Sequence, residues 1–415
     1  MWSNSSVITW GKAVDTADFP KNYGDNGGSF MSDRILKQQL AEICKHFRIP
    51  GTLIWYKQKK SGNINTTYEV MMQEETAQGP KETGYIVQKI NNYVFKNPEA
   101  MMNNIDLVTE HILKKKKEHG VIGRRYRLHF HHTEDGKNYL YSEESGEVWR
   151  LMNCIEDCVG FDESSDPRVL YMTGKAFGEF QMNLSDFDAS QLVETIPDFH
   201  NTKLRLETFF RDVAKDEYGR RDRVREEIAT IRNLSEIACR LSDMLANGEI
   251  PLRVTHNDTK SNNVLLDKTT LEPLVVIDLD TVMPGLAVHD FGDAVRFAAN
   301  TAAEDEADLS KVSLDLDLYR AFAEGFIGVT VDSLTQTEID TMALGAVTIT
   351  IELAVRFLDD YITGDKYFKV NYPGHNLIRA RSQLALVQDM LRKYDDMKRI
   401  VQEVAQEHRM SVVEE

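Results

Sequence analysis

Apolar positions recur along the chain with two different periods, and the dominant period changes near residue 165. Residues 1–30 show neither. "DFPKNYGDNGGSF" is rich in Gly, Asn and Asp, so 1–30 is expected to be a disordered extension. The first helix is expected to open at Met31 in "MSDRILKQQLAEICKHF", with Ser32 as its cap and Ile35, Leu36, Leu40 and Ile43 along one side. After Pro50 the pattern becomes that of strands. "GTLIWYKQKK" and "TTYEVMMQE" flank "SGNIN" as a hairpin, and "GYIVQKI" makes a third strand. "NPEAMMNNIDLVTEHILKKKK" reads as an amphipathic helix entered through Asn97 and Pro98. "RRYRLHFHHT" and "GEVWRLMNCIE" add two strands. From about residue 165 onward the pattern is mostly helical. "RVTHNDTKSNNVLLD" and the strand after it are the exception. The expected division is 31–152 for a small mixed α+β lobe and 153–415 for a larger helical one.

Composition adds limits. With 42% hydrophobic residues in 415, sizeable cores are available. A net charge of -17 argues against nucleic acid as a partner, because phosphate backbones demand a basic face. It does not argue against a small phosphate ligand. Cys44, Cys154, Cys158 and Cys239 are too scattered for a disulfide framework, and the C-x3-C pair at 154 and 158 lacks a second pair to hold zinc. No stretch is expected to approach the length of a transmembrane helix, and the N-terminus lacks a secretory pattern. A membrane is therefore not an expected partner, and a reducing cytoplasm is the expected setting. His129 and His131 share a face of their expected strand, but two histidines without a third ligand are read as ring packing.

The polar crowding of "RVTHNDTKSNNVLLD" carries the chemistry. His256, Asp258, Lys260 and Asn263 stand in the order of phosphotransferase catalytic loops, and "PLVVIDLDTV" presents Asp278 at the end of the next apolar run. Phosphoryl transfer needs a carboxylate to accept the acceptor's proton, here Asp258. It also needs oxygen ligands for Mg2+, here Asn263 and Asp278, with ATP phosphates completing the shell. Lys260 can neutralise the moving phosphoryl group, and His256 braces the loop. Asp280 is a weaker second ligand candidate. The competing reading is a polar hairpin whose Asp and Asn only make turn hydrogen bonds.

These residues, with "VVIDLDTVMPGLAVHDFGDAVRF", "GNINTTY", "ETIPDFHNT" and "RFLDDYITGDKYF", resemble the N-acetylhexosamine 1-kinases of the aminoglycoside-phosphotransferase and choline-kinase-like superfamily. The resemblance runs from about residue 50 to about 390. It implies a two-lobed protein-kinase-like fold, with a small N-terminal antiparallel β-sheet lobe for the nucleotide and a mainly helical C-terminal lobe for catalysis and sugar binding. It also implies ATP-dependent phosphorylation of the anomeric hydroxyl of N-acetylglucosamine or N-acetylgalactosamine. A related kinase acting on choline, homoserine or an aminoglycoside is the alternative. A catalytically silent nucleotide-binding protein is a further one.

For the nucleotide, the candidates are Gly62, Asn65 and Thr66 in the hairpin and Lys89 on the third strand, with Glu110 as a partner for that lysine. The family often has His where this chain has Asn63. For the sugar, Glu352 and Arg356 lie one turn apart in "TITIELAVRFLDDYI", a helix apolar nearly all round. Either they satisfy each other, or Glu352 orients Arg356 into a polar pocket. The resemblance places the matching Arg, and Tyr367, in the sugar site. His200 and Arg205 are further wall candidates, and Asp290, Asp293 and Arg296 are expected to support the catalytic loop.

Overall fold

The computed structural model describes residues 7–10, 27–59 and 64–413, so most of the expected extension, and Gly62 with Asn63, lie outside the described residues. In chain order the elements are β1 (Val7–Trp10), α1 (Gly27–His46), β2 (Thr52–Lys59), β3 (Thr66–Thr76), β4 (Gly79–Ile90), α2 (Pro98–Glu118), β5 (Leu140–Tyr141), β6 (Val148–Asn153) and β7 (Cys158–Phe161). They continue with α3 (Pro167–Asn183), α4 (Thr202–Lys215), α5 (Arg225–Ala246), β8 (Arg253–Thr255), β9 (Val264–Asp267), β10 (Pro273–Val276) and β11 (Met283–Gly285). The chain closes with α6 (Ala287–Ala298), α7 (Leu316–Thr330), α8 (Gln336–Ile362), α9 (His375–Arg392) and α10 (Tyr394–Val413). Two compact units result: 7–160 with 265–270, and 161–264 with the chain from 271 onward.

The N-terminal unit is built on an antiparallel sheet in the order β2-β3-β4-β6-β5. Because side chains alternate across a sheet, its register defines two faces. One carries Tyr68, Val70, Tyr85, Val87, Trp149 and Leu151, which bury Leu40, Ile43, Cys44 and Phe47 of α1. The other carries Thr67, Glu69, Ile86, Gln88, Arg150 and Met152, where Met102 of α2 meets the Arg150 guanidinium. Helix α2 starts where expected, with the Asn97 side chain accepting from Ala100 N and Pro98 in its first turn.

Several boundaries differ from expectation. Helix α1 begins at Gly27, ahead of Met31, and β4 begins at Gly79, five residues before the apolar run, because the β3–β4 ladder continues through polar pairs such as Glu74 opposite Lys81. "RRYRLHFHHT" is not a strand. It makes a 3-10 turn at Arg124–Tyr126 and one isolated bridge, Phe130 to Met152. The Asn153 side chain takes the place of a strand neighbour, accepting from His129 N at 2.7 Å and donating to the Arg127 carbonyl at 2.8 Å. His129 and His131 pack ring to ring 4.7 Å apart, and burial holds both at a pKa of about 4. Cys154 is a buried free thiol, its pKa pushed up to about 12 by burial.

The C-terminal unit packs around α8. Thr335 and Glu338 close a capping box at its start, and Ile349, Ile351, Val355, Phe357 and Leu358 are buried along it. Each such side chain contributes about 1.5–3 kcal/mol. Helix α8 is long and apolar enough to span a membrane, against the expectation that no stretch reaches that length, but 83% of its most apolar window is buried as a core helix. Helix α6 approaches it closely at two glycines: a Cβ on Gly292 would meet the Gly345 carbonyl carbon at 2.5 Å, and one on Gly345 the Val288 oxygen at 2.1 Å.

Candidate active site

Strand β8 pairs antiparallel with β11, Thr255 opposite Met283, and the chain leaves β8 into the polar loop 256–263. Arg253 anchors β8 by donating to the buried Glu338 at 2.7 Å and to the Ser333 carbonyl at 2.8 Å. The loop's backbone hangs on α6. Asp290 accepts from His256 N and Asn257 N, both at 2.7 Å, and Asp293 accepts from Thr259 N at 3.0 Å. The Thr259 hydroxyl donates to the Asp290 carbonyl at 2.6 Å. Arg296 holds Asp293 in turn through two contacts of 2.9 and 3.1 Å, and reaches Glu304 at 3.0 Å.

His256 is fully buried and does no visible chemistry. Its Nε2 bonds the Ile277 carbonyl at 2.9 Å, and its ring meets Phe177 and Phe180 edge-on at 5.6 and 5.8 Å. Asn257, which the spacing left without a role, adopts a left-handed φ of 63°. From there its side chain reaches Thr255 at 3.0 Å and the Thr281 carbonyl at 2.9 Å, tying the loop to the 279–281 turn. Asn262, likewise unassigned, donates to Asp162 at 2.9 Å.

Asp258 is half-buried with its Oδ1 2.7 Å from the Lys260 ammonium. Asn263 donates its Nδ2 to the Asp258 carbonyl at 2.8 Å and to Oδ2 at 3.3 Å. Burial pushes the carboxyl pKa up, but the charge and hydrogen bond of Lys260 outweigh it, so Asp258 stays ionised below the usual carboxylate range. Lys260 is raised in turn, mainly by Asp258. Ile277 N donates to the Asn263 carbonyl at 2.8 Å, which sets Asp278 beside Asn263. Asp278 has a φ of 61° and opens the Leu279–Thr281 turn.

The donor set fits a hard divalent cation. With Nδ2 engaged by Asp258, the donor oxygens that would serve such an ion are Asn263 Oδ1 and the Asp278 carboxylate. Among the described residues no group of three or more His, Cys, Asp or Glu forms a closed metal cage.

A second polar cluster is buried between α4 and α8. Glu352, 2% exposed, accepts from His200 Nδ1 at 2.9 Å and the Thr202 hydroxyl at 2.6 Å, with Arg205 Nε at 3.4 Å. Burial pushes its pKa up, but His200, Arg205 and Thr202 bring it down to about 2. His289 meets the His200 ring edge-on, with centroids 5.4 Å apart. Glu352 does not pair with Arg356, which corrects the expected i, i+4 arrangement: the α4 N-terminus supplies its partners instead. The Arg356 guanidinium lies over Phe199, Tyr367 and Phe368 at 5.4, 5.8 and 5.4 Å. Asp360 shapes that wall by accepting from the backbone amides of Lys366, Tyr367 and Phe368 at 2.8–2.9 Å. Phe199, Phe368 and Asp360 were not singled out by spacing. The local signal was an aspartate one turn past Arg356, six to eight residues before the amides it collects.

In the N-terminal unit, Asn65 Oδ1 accepts from Asn91 N at 3.0 Å, and Thr66 opens β3 opposite Lys89. Lys89 pairs with Glu147 at 3.1 Å, not with Glu110, and lies 5.9 Å over Trp149.

Residues 127–324, which include the whole 253–281 apparatus, are similar to the phosphotransferase enzyme family. The chain is similar in structure to the microcompartment-associated aminopropanol kinase, at 13% identity with 88% of this chain and 98% of that chain covered (TM-score 0.53). It is also similar to a choline/ethanolamine kinase family protein from Mesorhizobium loti, at 12% identity with 90% and 99% covered (TM-score 0.50). At such identities the likeness shows a shared fold, an α+β kinase-like architecture with a small antiparallel sheet unit and a larger helical one.

Proposed function

We propose that this protein is an ATP-dependent kinase that phosphorylates the anomeric C1 hydroxyl of an N-acetylhexosamine. The observation that carries the chemistry is the Asp258 carboxylate, held ionised by Lys260 and touched by Asn263, on a loop suspended from Asp290 and Asp293. In this reading Asp258 accepts the hydroxyl proton as the sugar oxygen forms its bond to the γ-phosphorus, and the bond from that phosphorus to the ADP oxygen breaks. A hemiacetal hydroxyl is more acidic than an ordinary alcohol, so a carboxylate of low pKa suffices. Lys260 turns from Asp258 toward the charge developing on the phosphoryl oxygens. Asn263 and Asp278 hold Mg2+, which when bound neutralises phosphate charge.

The acceptor class rests on Arg356. The named substrates of the two structural relatives carry ammonium groups, which need carboxylates or open aromatic faces. Here the aromatic faces are already covered by a guanidinium, and among the described residues no carboxylate lies within ion-pair distance of it. That wall suits a neutral, hydroxylated acceptor with a carbonyl for Arg356 to grip, with His200, Glu352 and Tyr367 around it.

The test is phosphate transfer from Mg-ATP to N-acetylglucosamine, N-acetylgalactosamine, choline, ethanolamine and homoserine, with the product read by phosphorus NMR. Phosphate on C1 of an amino sugar is the expected result. Phosphate on C6, or transfer to the amines alone, overturns the acceptor assignment. Absence of transfer and of ATP turnover with every acceptor overturns the kinase reading.

A further inference from the structure

We propose that Arg220 is a positioning residue for the acceptor: from the loop between α4 and α5 it fastens the turn that presents Tyr367 and Phe368. This inference rests on the reading of the Arg356 wall as the acceptor site.

The turn follows the end of α8, and its backbone is fixed more firmly than its place at the surface requires. Gly364 and Asp365 have left-handed φ values of 99° and 57°, and an aspartate keeps that conformation where its surroundings impose it. Asp365 N donates to the Asp360 carbonyl at 2.7 Å, and the Asp360 carboxylate then collects the amides of Lys366, Tyr367 and Phe368. Asn376 of α9 is fully buried and donates its Nδ2 to Asp360 Oδ2 at 2.9 Å and to Asp365 Oδ1 at 3.0 Å. Yet Tyr367, whose amide lies inside this network, is 64% exposed. A ring that exposed adds little to a core. Pinning its backbone serves instead to hold the ring ready in one place, which lowers the ordering cost of binding.

Arg220 closes the network from 141 residues away in the chain. Its Nη1 donates to the Tyr361 carbonyl at 2.6 Å and to Asp365 Oδ2 at 2.5 Å, and its guanidinium lies 4.7 Å over the Tyr361 ring. One cation thereby ties the last turn of α8 to Asp365, and Asp365 passes the restraint to Asn376. Tyr218, on the same loop as Arg220, rests against Gly364, where a Cβ would meet its ring at 2.9 Å. The Lys366 ammonium lies 4.9 Å over that ring. Asp360 and Asn376 belong to core helices, whereas Arg220 is half-buried on a surface loop, so it can be replaced without emptying the core. A lysine there would keep the charge and lose the planar contact with Tyr361.

The test is steady-state kinetics with the amino sugar that accepts phosphate, with urea unfolding and hydrogen exchange of residues 366–368 alongside. The chains compared are wild type, Arg220→Met, Arg220→Lys, Arg356→Leu and Arg223→Met, the last an exposed position two turns of loop away from the network. Arg220→Met should raise the acceptor KM about three- to tenfold, the cost of ordering one side chain anew on binding. Its kcat and ATP KM should stay within twofold of wild type, and exchange at 366–368 should quicken about tenfold or more. Arg220→Lys should fall between Met and wild type, and it carries the same KM split if Arg220→Met does not fold. Arg223→Met should match wild type within twofold. The proposal is overturned if Arg220→Met lowers the urea midpoint and leaves the acceptor KM within twofold, or raises both KM values alike, because Arg220 is then only structural. If Arg356→Leu raises the acceptor KM in that case, the acceptor reading stands and only the role of Arg220 falls. If Arg356→Leu leaves it unchanged, or wild type transfers phosphate to no amino sugar, the acceptor reading falls and this proposal with it.

Discussion

Replacing Asp290 with Asn separates the positioning of the catalytic loop from its stability. The native carboxylate accepts two backbone amides at 2.7 Å in a fully buried setting, one from His256 and one from Asn257. Asparagine keeps one acceptor oxygen but turns an NH2 toward the second amide. One hydrogen bond to a charged group is lost, about 1.5–3 kcal/mol, and a buried N–H is left without a partner, about 1–3 kcal/mol more. The variant should therefore lose roughly 2.5–6 kcal/mol, a large share of the roughly 5–15 kcal/mol of a typical domain. The amide left unpaired sits one or two residues before Asp258, so the proposed base moves with it. A displacement near 1 Å costs about a hundredfold in rate. Urea unfolding and steady-state kinetics should show a lower midpoint, a kcat down about a hundredfold, and a KM for ATP within threefold of wild type. Phe291→Ala is the control: it empties a fully buried site one residue along the same helix at a cost of about 3–5 kcal/mol without touching the loop, and it should keep kcat. If Asp290→Asn loses stability but holds kcat within threefold, suspension of the loop from α6 does not set the position of the base.

Three further outcomes follow from the same geometry. In Lys260→Met the strongest influence lowering the Asp258 pKa is gone while burial still raises it, so the acidic limb of kcat/KM should move to higher pH. An unmoved limb removes Lys260 from that role. Arg356→Leu should raise the acceptor KM at least tenfold and leave the ATP KM within twofold. Its Tm should fall only slightly, because what is lost is cation–π contact worth about 0.5–2 kcal/mol. Glu352 titrates in the folded state at about 2, below its ordinary 4.5. Its stabilisation is therefore present in full above 4.5 and is lost as pH falls toward 2. The urea-midpoint gap between wild type and Glu352→Gln should narrow between pH 6 and pH 3. An equal gap at both pH values refutes the assignment of that pH dependence to Glu352.

The parts of the site readable from spacing are those whose geometry is local. Asp258, Lys260 and Asn263 lie within six residues, so one turn of backbone brings Lys260 and Asn263 onto Asp258 whatever surrounds it. The β2–β3 hairpin and the buried character of α8 were readable for the same reason, since each is a property of one short period. The placement of Lys89 is less local. A lysine on the third strand is visible in the chain, but which face it takes depends on register with β3 and β6, and a shift of one residue exchanges Lys89 for Gln88. The expected fourth strand is absent because its backbone groups are met by the Asn153 side chain, which no alternation pattern reveals.

Charge partners lie furthest from what a one-dimensional pattern carries. Helical spacing offers Arg356 as the partner of Glu352, yet the carboxylate is claimed by His200, Thr202 and Arg205, about 150 residues earlier in the chain. A buried charge takes whichever donors desolvate with it, and only packing decides which those are. The sequence by itself therefore determined the polar loop 256–263, the β2–β3 hairpin and the burial of α8, because short-range sterics and periodicity suffice for these. Tertiary structure alone decided the face on which each lysine lies, the suspension of the loop from Asp290 and Asp293, and the release of Arg356 from Glu352. Each of those depends on strand register or on donors brought together by the fold from distant parts of the chain.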